Sequence, residues 1–458
     1  VFESQIDLMI VDETHFGARA EKYGQVLREL GKDGVKAQSH KKDADDFVEA
    51  SEADEQIGKV LKPRIKLHLS GTPYRILMGS EFTKDDIIAF YQFSDIVKDQ
   101  EKWDKDFFKA IENEEINPIT SAPYKEWDNP YYGFPQMIRF AFNPNESSRQ
   151  RIKELKESGI SFAFSALLKP KSVKKADDDS HKKFVFEQEV LELLEVIDGT
   201  KEDDELLGFL DYDKIKDGNM CRHIVMVLPY CASCDAMEAL IRSNPDKFRN
   251  LNDYEIVNIS GRDIPRELGN PQKIKSFIHH CEEEGKKTLT LTVNRMLTGS
   301  TVEEWDTMIF LKDTASPQEY DQAIFRLQNQ YIKKYIDDDG NVIKYNMKPQ
   351  TLLVDFMPGR MFSMQEQKAQ IYNVNVDDAG NSKLEERLKE ELRISPIIVM
   401  NSDKMEEVQS ADILNAVSEY SKSRGVAEET LEIPVDLSLM DIDVIRQAIE
   451  RENELGSK

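Results

Sequence analysis

Two acids that follow an apolar run are the first residues able to do chemistry. Residues 6–11 (IDLMIV) predict a short buried parallel strand, and Asp12 and Glu13 come directly after it. Functional acids of α/β proteins lie at this carboxyl edge of the sheet. Asp12 could hold Mg²⁺ through water, and Glu13 could orient and deprotonate the water that attacks a γ-phosphate. Taken alone, the two acids fit the N-cap of a helix better than a catalytic pair.

Two further segments carry small hydroxyl groups or polar pairs at strand and helix positions. Ser70-Gly71-Thr72-Pro73 follows a second predicted strand at 66–69, and by itself it is an ordinary turn sequence. Residues 292–301 (TVNRMLTGST) close another predicted strand. Gln322 and Arg326 are four positions apart in a predicted helix and share one of its faces. In isolation that pair is typical of a solvated helix surface.

Together these segments resemble the motifs of superfamily-two helicases. Residues 12–15 (DETH) are similar to the DExH box, residues 70–73 to the third motif, residues 292–301 to motif V, and residues 322–326 to motif VI. Four boxes in this order and spacing are far less expected by chance than any one of them. Within that superfamily, the Met-Leu-Thr-Gly run and the run SPQEYDQAIFR look most like motor subunits of restriction–modification systems, which are translocases on double-stranded DNA.

The resemblance implies a role for each matched residue in ATP hydrolysis with Mg²⁺. The expected catalytic set is Asp12 on the metal, Glu13 on the attacking water, His15 and Gln322 linking the nucleotide to the moving parts, and Arg326 as the arginine finger. The expected coupling residues are Ser70, Gly71 and Thr72, and those expected on the phosphate backbone are Thr292, Thr298 and Gly299. The implied partners are double-stranded DNA, ATP, and nuclease or methyltransferase modules of the same system.

Three departures from the family pattern limit what this chain is expected to do alone. The phosphate-binding loop G-x-x-x-x-G-K-[ST] is absent, since residues 285–288 (GKKT) lack its first Gly. We therefore expect a chain truncated before its DExH box, inactive in isolation. Asn329 replaces the second Arg of motif VI, and Thr301 replaces an Asp of motif V. These departures leave open a rival interpretation, a non-hydrolysing nucleic-acid-binding or assembly module with a helicase-like fold, and RNA as the track is not excluded.

Composition restricts the partners and the setting. The 458 residues include 86 acids and 61 bases, a net charge of -25 that excludes a general attraction to phosphate backbones. Nucleic-acid binding must therefore come from local basic strips, backbone amides and helix N-termini. Four Cys do not form a disulfide framework, and we expect a cytoplasmic protein. We expect no membrane contact, since no apolar run approaches the length of a membrane helix.

The alternation of strands and helices predicts an α/β fold with two RecA-like lobes. We assign residues 1–128 to the first lobe, which we expect to be incomplete, 129–220 to a junction and charged insertion, 221–360 to the second lobe, and 361–458 to a mostly helical region. Predicted strands of the second lobe lie at 223–228, 254–259, 288–293, 307–311 and 351–354, with helices at 234–242, 271–284 and 317–331. The charge-dense stretch 169–213 is interpreted as an insertion or mobile linker.

Two further constellations are set aside. Cys231 and Cys234 have metal-ligand spacing, but Cys221 would lie at the other end of a strand, too far away to complete a zinc site with them. Asp355, Glu366 and Lys368 imitate a nuclease signature, but residues 364–370 predict a helix where such nucleases have a strand. Both sets are better explained by chance.

Overall fold

The computed structural model describes ten stretches of the chain: residues 6–11, 64–74, 77, 83–142, 163–199, 220–297, 300–314, 316–376, 383–401 and 404–415. The chain divides into two compact units. One comprises Val1–Ile88, Asn375–Asp377 and Pro434–Lys458, and the other Ala89–Val374 and Asp378–Ile433.

The described part of the first unit contains a pair of parallel strands, β1 (Leu8–Val11) and β2 (Ile65–His68), and a 3₁₀ turn, Lys84–Asp86. The parallel pairing agrees with the predicted strands. The expected burial is not observed, because Leu8 is 50% and Ile10 55% exposed. An apolar run predicts a strand that can be buried, but burial also needs elements that cover both faces, and a run of residues does not specify those.

The second unit is built on an eight-stranded sheet of order β14-β13-β5-β12-β9-β6-β8-β7. Every neighbouring pair is parallel except β13 and β14. The bounds of its strands are β5 Gln136–Phe142, β6 His223–Val227, β7 Tyr254–Asn258, β8 Lys287–Thr292, β9 Thr307–Phe310, β12 Gln350–Asp355, β13 Ile397–Asn401 and β14 Lys404–Glu407. Two antiparallel hairpins lie outside it, β3 (Ile116–Asn117) with β4 (Ala122–Pro123), and β10 (Ile332–Ile336) with β11 (Val342–Asn346).

Helices cover both faces of this sheet. They are α1 Phe93–Glu112, α2 Phe164–Leu167, α3 Glu187–Asp198, α4 Cys231–Ser243, α5 Pro271–Glu283, α6 Pro317–Ile324, α7 Pro358–Asn375 and α8 Leu384–Ile394. Side chains of β6 alternate between two cores: Val225 packs with residues of α5 to α8, and Ile224 and Met226 pack with residues of α3 and α4. The α/β class with a parallel sheet between helices is therefore confirmed. No helix in the described stretches is both long and apolar enough to cross a bilayer.

The predicted elements of residues 221–360 are confirmed, with boundaries that shift by one to three residues at most ends. The largest difference is at the helix predicted over 317–331, because α6 ends at Ile324 and a 3₁₀ turn, Phe325–Gln328, follows. Asn329 stabilises this turn by donating from Nδ2 to the carbonyl oxygen of Arg326 at 2.9 Å. A local pattern of polar and apolar residues does not distinguish the two helix types, because their periods of 3.6 and 3.0 residues differ little over one turn.

Part of the stretch interpreted as an insertion or mobile linker belongs to the core. Phe184, Val190, Leu194 and Ile197 are each 0% exposed and line the face of the sheet that α4 also covers. Strand β5, from the same predicted junction, lies inside the sheet between β12 and β13. Most lysines and aspartates in its described part are exposed, although Asp198 is buried, and a few apolar residues at helical spacing are enough to anchor the segment.

The described part of the region after residue 360 contains the rest of α7 and all of α8, and it also contributes strands. β13 pairs with β5 in parallel, and β14 pairs with β13. The sequence of β13, Ile397–Asn401, is a short apolar run of the kind that either a strand or a buried helix can have. Long-range pairing with a strand more than two hundred residues earlier decides between them.

Lys348 is a buried cation at the amino edge of the sheet, just before β12. Its side chain is 2% exposed, and Nζ donates to the carbonyl oxygens of Glu303 at 2.7 Å and Trp305 at 3.0 Å. Burial lowers the pKa of Lys348 to about 8, although nearby carboxylates, chiefly that of Asp306, favour the charged form. The folded protein therefore loses this proton at a lower pH than the unfolded chain does.

We expect Lys348 to make the free energy of unfolding rise between pH 8 and 10.5, by about 3 kcal/mol at most. Below this range both states hold the proton, and burial of the charge costs stability. Within it only the unfolded chain stays protonated, so the cost disappears as the pH increases. Urea unfolding across the range measures the effect. Lys348→Met should lack the rise and the exposed Lys334→Met should keep it; parallel curves for the parent and Lys348→Met would contradict the prediction.

Candidate nucleotide and nucleic-acid site

The carboxyl edge of the large sheet holds one predicted site residue, Thr292, together with two residues outside the predicted set. Thr292 ends β8, Lys312 lies two residues past β9, and Asp355 ends β12. Because parallel strands all end at one edge, the loops that follow them form a common surface, the usual ligand site of such sheets. Thr292 lies at this edge, and Arg326 donates a hydrogen bond to the loop that follows β8.

The loop after β8 is held by internal hydrogen bonds. Thr292 is 0% exposed, and its Oγ1 donates to the carbonyl oxygen of Arg295 at 2.8 Å and lies 3.0 Å from Oγ of Ser260. The Arg295 guanidinium donates to the carbonyl oxygens of Ile259 at 2.8 Å and Gly269 at 2.7 Å. In this arrangement the hydroxyl of Thr292 shapes the loop from inside, and its contact with a phosphate stays a prediction.

Arg326 links the two motifs. Its Nε donates to the carbonyl oxygen of Leu297 at 2.8 Å, one residue before the Thr-Gly pair of motif V. Arg326 lies in the 3₁₀ turn and Gln322 in α6, and both side chains are half-buried. Since a 3₁₀ turn advances each residue farther around the axis than an α-helix does, the two side chains are less closely aligned than the four-residue spacing predicts.

Lys312 ties the ends of β8 and β9 to the start of α6. Its Nζ lies 2.8 Å from Oδ1 of Asn294 and 2.5 Å from Oε1 of Glu319. Ser316 is the N-cap of α6, with Oγ accepting from the Glu319 amide at 3.3 Å. A Ser N-cap followed by Glu three residues later fixes where α6 begins, and therefore where Gln322 and Arg326 lie.

A buried ion pair supports this surface from below. Arg360 donates to Asp355 from Nη2 at 2.7 Å and from Nε at 3.2 Å, and the Tyr320 hydroxyl donates to the same carboxylate at 3.0 Å. Burial, with the adjacent Asp355 charge, raises the pKa of Tyr320 well above its ordinary value, so its hydroxyl remains a donor. The Arg360 guanidinium also lies 5.1 Å from the centre of the Phe310 ring.

The loop after β7 leaves no room for a larger residue at position 261. The Gly261 amide donates to Oδ1 of Asn258 at 2.8 Å, and the Arg262 amide donates to Oδ2 of Asp235 at 2.6 Å. A Cβ at Gly261 would approach Oδ1 of Asp235 to 2.1 Å. Asp235 lies in the first turns of α4, so glycine lets the chain pass close to the N-terminal end of that helix.

The other predicted residues lie outside the described stretches or belong to the first unit. Asp12, Glu13, His15, Thr298 and Gly299 lie outside the described residues. Ser70, Gly71 and Thr72 follow β2 in the first unit, where Ser70 is half-buried, Gly71 exposed and Thr72 buried. Their functional roles, like those of Gln322 and Arg326, stay predictions.

The thiols and the nuclease-like triad do not form sites in the described structure. Cys221 precedes β6 and Cys231 begins α4 beyond its other end, so the two lie at opposite edges of the sheet, as predicted. Among the described residues, no group of three or more His, Cys, Asp or Glu side chains could hold a metal ion. Glu366 and Lys368 lie on α7, which confirms the predicted helix.

Sequence reasoning missed Lys312, Arg360 and the structural role of Arg295. A signal was present for Lys312, which follows directly after a predicted strand as Asp12 does, at the edge where ligands bind. No local signal marks Arg360, because its partner Asp355 is recognised only once the turn after β12 brings the two side chains together.

No protein-family model matches the chain. One curated relative, from Mycoplasma pneumoniae, is named as the C-terminus of a type II restriction enzyme and methyltransferase. It is 28% identical to this chain over 364 residues, which cover 75% of this chain and 46% of that protein. The chain thus spans about half the length of the curated relative that it matches.

Solved structures with some likeness to the chain include three proteins of low sequence identity. The DNA-bound ATP-dependent Type ISP restriction–modification enzyme LlaBIII is 12% identical with a TM-score of 0.33, over 77% of this chain and 18% of that one. The C-terminal part of the Fun30 ATPase domain is 11% identical with a TM-score of 0.22, over 76% of this chain and 84% of that one. A DEAD box protein from Methanococcus jannaschii is 11% identical with a TM-score of 0.23, over 81% of this chain and 79% of that one. At TM-scores this low, the likeness does not define the fold.

Proposed function

We propose that this chain belongs to an ATP-dependent DNA translocase motor of a restriction–modification system. The observation that carries the proposal is the hydrogen bond from Arg326 to the carbonyl oxygen of Leu297, 2.8 Å long, which connects the predicted arginine finger to the loop predicted to contact DNA. A motor needs such a connection, because a change at the γ-phosphate must alter the grip on the track. The DETH and SGTP boxes and the curated relative add support from sequence.

In this proposal the chain supplies positioning and charge. ATP supplies the bond whose hydrolysis drives movement, and Asp12 would hold its Mg²⁺. Glu13 would orient the attacking water and accept its proton, while His15 and Gln322 would connect the nucleotide to the moving parts. Arg326 would stabilise the charge that develops on the transferred phosphoryl group. Ser70, Gly71 and Thr72 would transmit the change, and Thr292, Thr298 and Gly299 would meet the phosphate backbone of double-stranded DNA.

The test assays the full-length protein for ATP hydrolysis with and without duplex DNA. We expect DNA to stimulate hydrolysis, and Glu13→Gln to lower it by about 10²- to 10⁴-fold, the typical contribution of a positioned general base. Asp7→Asn is the matched control, because Asp7 lies near the same strand but is 80% exposed at its side chain. Absence of DNA-stimulated hydrolysis, with DNA binding intact, would favour the non-hydrolysing binding or assembly module instead.

A further inference from the structure

A basic segment precedes α3 in an otherwise acidic protein. It contains six lysines within fifteen residues: Lys169, Lys171, Lys174, Lys175, Lys182 and Lys183. Composition alone suggests a solvated linker, but this segment has a fixed backbone. The Lys171 amide donates to the carbonyl oxygen of Lys183 at 2.8 Å, and the Val185 amide donates to that of Lys169 at 3.0 Å. These bonds enclose an antiparallel bridge between Pro170 and Phe184.

The bridge sorts its side chains onto two faces. Pro170 and Phe184 are buried, and Phe184 is part of the hydrophobic core beside α4. Neighbours along an extended chain point to opposite sides. The residues that flank the buried pair are therefore directed outward, and Lys169, Lys171 and Lys183 are all exposed. We call these three residues the lysine face.

The charges of the lysine face are not neutralised in the way that those of its neighbours are. Lys175 and Lys182 form ion pairs with Asp263, at 2.5 and 3.3 Å, and Lys182 also pairs with Asp179. Within the stretches that the structure describes, no member of the lysine face has an ion pair. Asp178 lies within electrostatic range of Lys183 and remains charged, so it offsets part of that lysine's charge. Three lysines against this carboxylate still leave the lysine face positive.

Three contacts hold the segment against the carboxyl edge of the sheet. Ser233, in the first turn of α4, donates from Oγ to the carbonyl oxygen of Leu168 at 2.7 Å. Arg262, in the loop after β7, donates from Nε to that of Val173 at 3.2 Å. Asp313, after β9, accepts from the amides at the start of α2, at 3.0 and 2.7 Å. The segment therefore lies beside the loops that contain Thr292 and Arg295.

We propose that the lysine face binds the phosphate backbone of duplex DNA beside the carboxyl edge. This inference rests on the proposed function. With a net charge of -25 the protein repels a polyanion overall, so its affinity must come from local positive groups of this kind. Two residues apart on an extended chain, Lys169 and Lys171 are separated by roughly 6.6 Å and point to the same side, so both can face the same DNA strand. Lysine serves as a point charge for phosphate and selects no base sequence.

The experiment is equilibrium binding of the chain to a fluorescently labelled duplex of arbitrary sequence, by anisotropy, over a series of salt concentrations. Each lost phosphate contact lowers the slope of log affinity against log salt by about 0.9. For K169Q/K171Q/K183Q we expect the slope to fall by about 2 to 3 and the affinity at low salt to fall on the order of 100-fold. K169R/K171R/K183R keeps the charges and should bind like the parent.

The matched control is K105Q/K247Q/K334Q, which removes three exposed lysines from other parts of the second unit and changes the net charge equally. Thermal melting should show all variants folded, since every changed side chain is exposed. If the control loses as much affinity as the lysine-face variant, or if the lysine-face variant keeps the parent slope, the inference is wrong. Failure of the parent to bind duplex DNA at low salt would also overturn it. Failure of the motor proposal is separate: hydrolysis would be absent while DNA binding still depended on the lysine face.

Discussion

Arg326→Lys should reduce DNA-stimulated ATP hydrolysis of the full-length protein by about 10³-fold or more, the range found for arginine fingers. Lysine keeps the positive charge but lacks the planar fork that can bond two phosphate oxygens at once. It also cannot reproduce the Nε–H donor that reaches the carbonyl oxygen of Leu297. The substitution therefore removes both the charge geometry at the nucleotide and the connection to the motif V loop. Single-turnover hydrolysis and nucleotide affinity, measured separately, check the prediction.

The two roles of Arg326 have different signatures. Loss of one net hydrogen bond costs about 1 kcal/mol of stability, whereas a 10³-fold loss of rate corresponds to about 4 kcal/mol in the transition state. A melting temperature near that of the parent, together with a collapsed rate, supports the finger role. The control is Arg266→Lys, an exposed arginine of the same unit. If the Arg326→Lys variant hydrolysed ATP at the parent rate, Arg326 would not be an arginine finger, and its role would be limited to the hydrogen bond that positions the loop after β8.

The second large effect is on stability, and it concerns the pair of Asp355 and Arg360. Asp355 is 0% and Arg360 6% exposed, and the shorter of their two hydrogen bonds is 2.7 Å. Asp355→Ala leaves the guanidinium buried without its counter-charge, which typically costs 3 to 5 kcal/mol, so we expect a loss of about that size. It also removes the acceptor for the Tyr320 hydroxyl and the Met357 amide. Urea unfolding followed by circular dichroism measures the change.

Two further variants separate the buried charge from the loss of packing. Asp355→Leu combined with Arg360→Met replaces the pair by apolar side chains and should recover much of the lost stability, because neither charge is then stranded. Glu385→Ala removes one member of the exposed pair with Lys389 on α8 and should cost less than about 0.5 kcal/mol. If Asp355→Ala is as mild as Glu385→Ala, the buried pair does not stabilise the fold as its geometry indicates.

The strands of residues 221–360 could be predicted because their burial on both faces produces short, nearly continuous apolar runs. β6 is the clearest case: all five residues, His223–Val227, are buried. The helices between them begin at recognisable signals, such as Asn270 before Pro271 in α5 and Ser316 before Pro317 in α6. These interactions join residues only a few positions apart, so a short stretch of sequence is enough to predict them.

Membership of the sheet could not be predicted in the same way. β5 and β13 are separated by more than 250 residues and pair in parallel with each other, and β5 also pairs with β12 on its other side. Either run alone suits a strand in any sheet. The choice depends on hydrogen bonds to a partner that no local window contains, and on the core that forms only when both are in place.

Some features of the candidate site could likewise be predicted from local sequence, and others depend on long-range contacts. Sequence by itself determined which residues resemble a motor's motifs, and it placed Thr292 at the end of a strand and Arg326 within a helix. Only the tertiary structure decided that Arg326 bonds to Leu297, that Arg360 neutralises Asp355, and that the lysines around Phe184 form a fixed surface. The physical reason is that each of these contacts joins segments through a folded backbone. Composition records how many charges a segment has, but the positions of its few buried residues decide where those charges point.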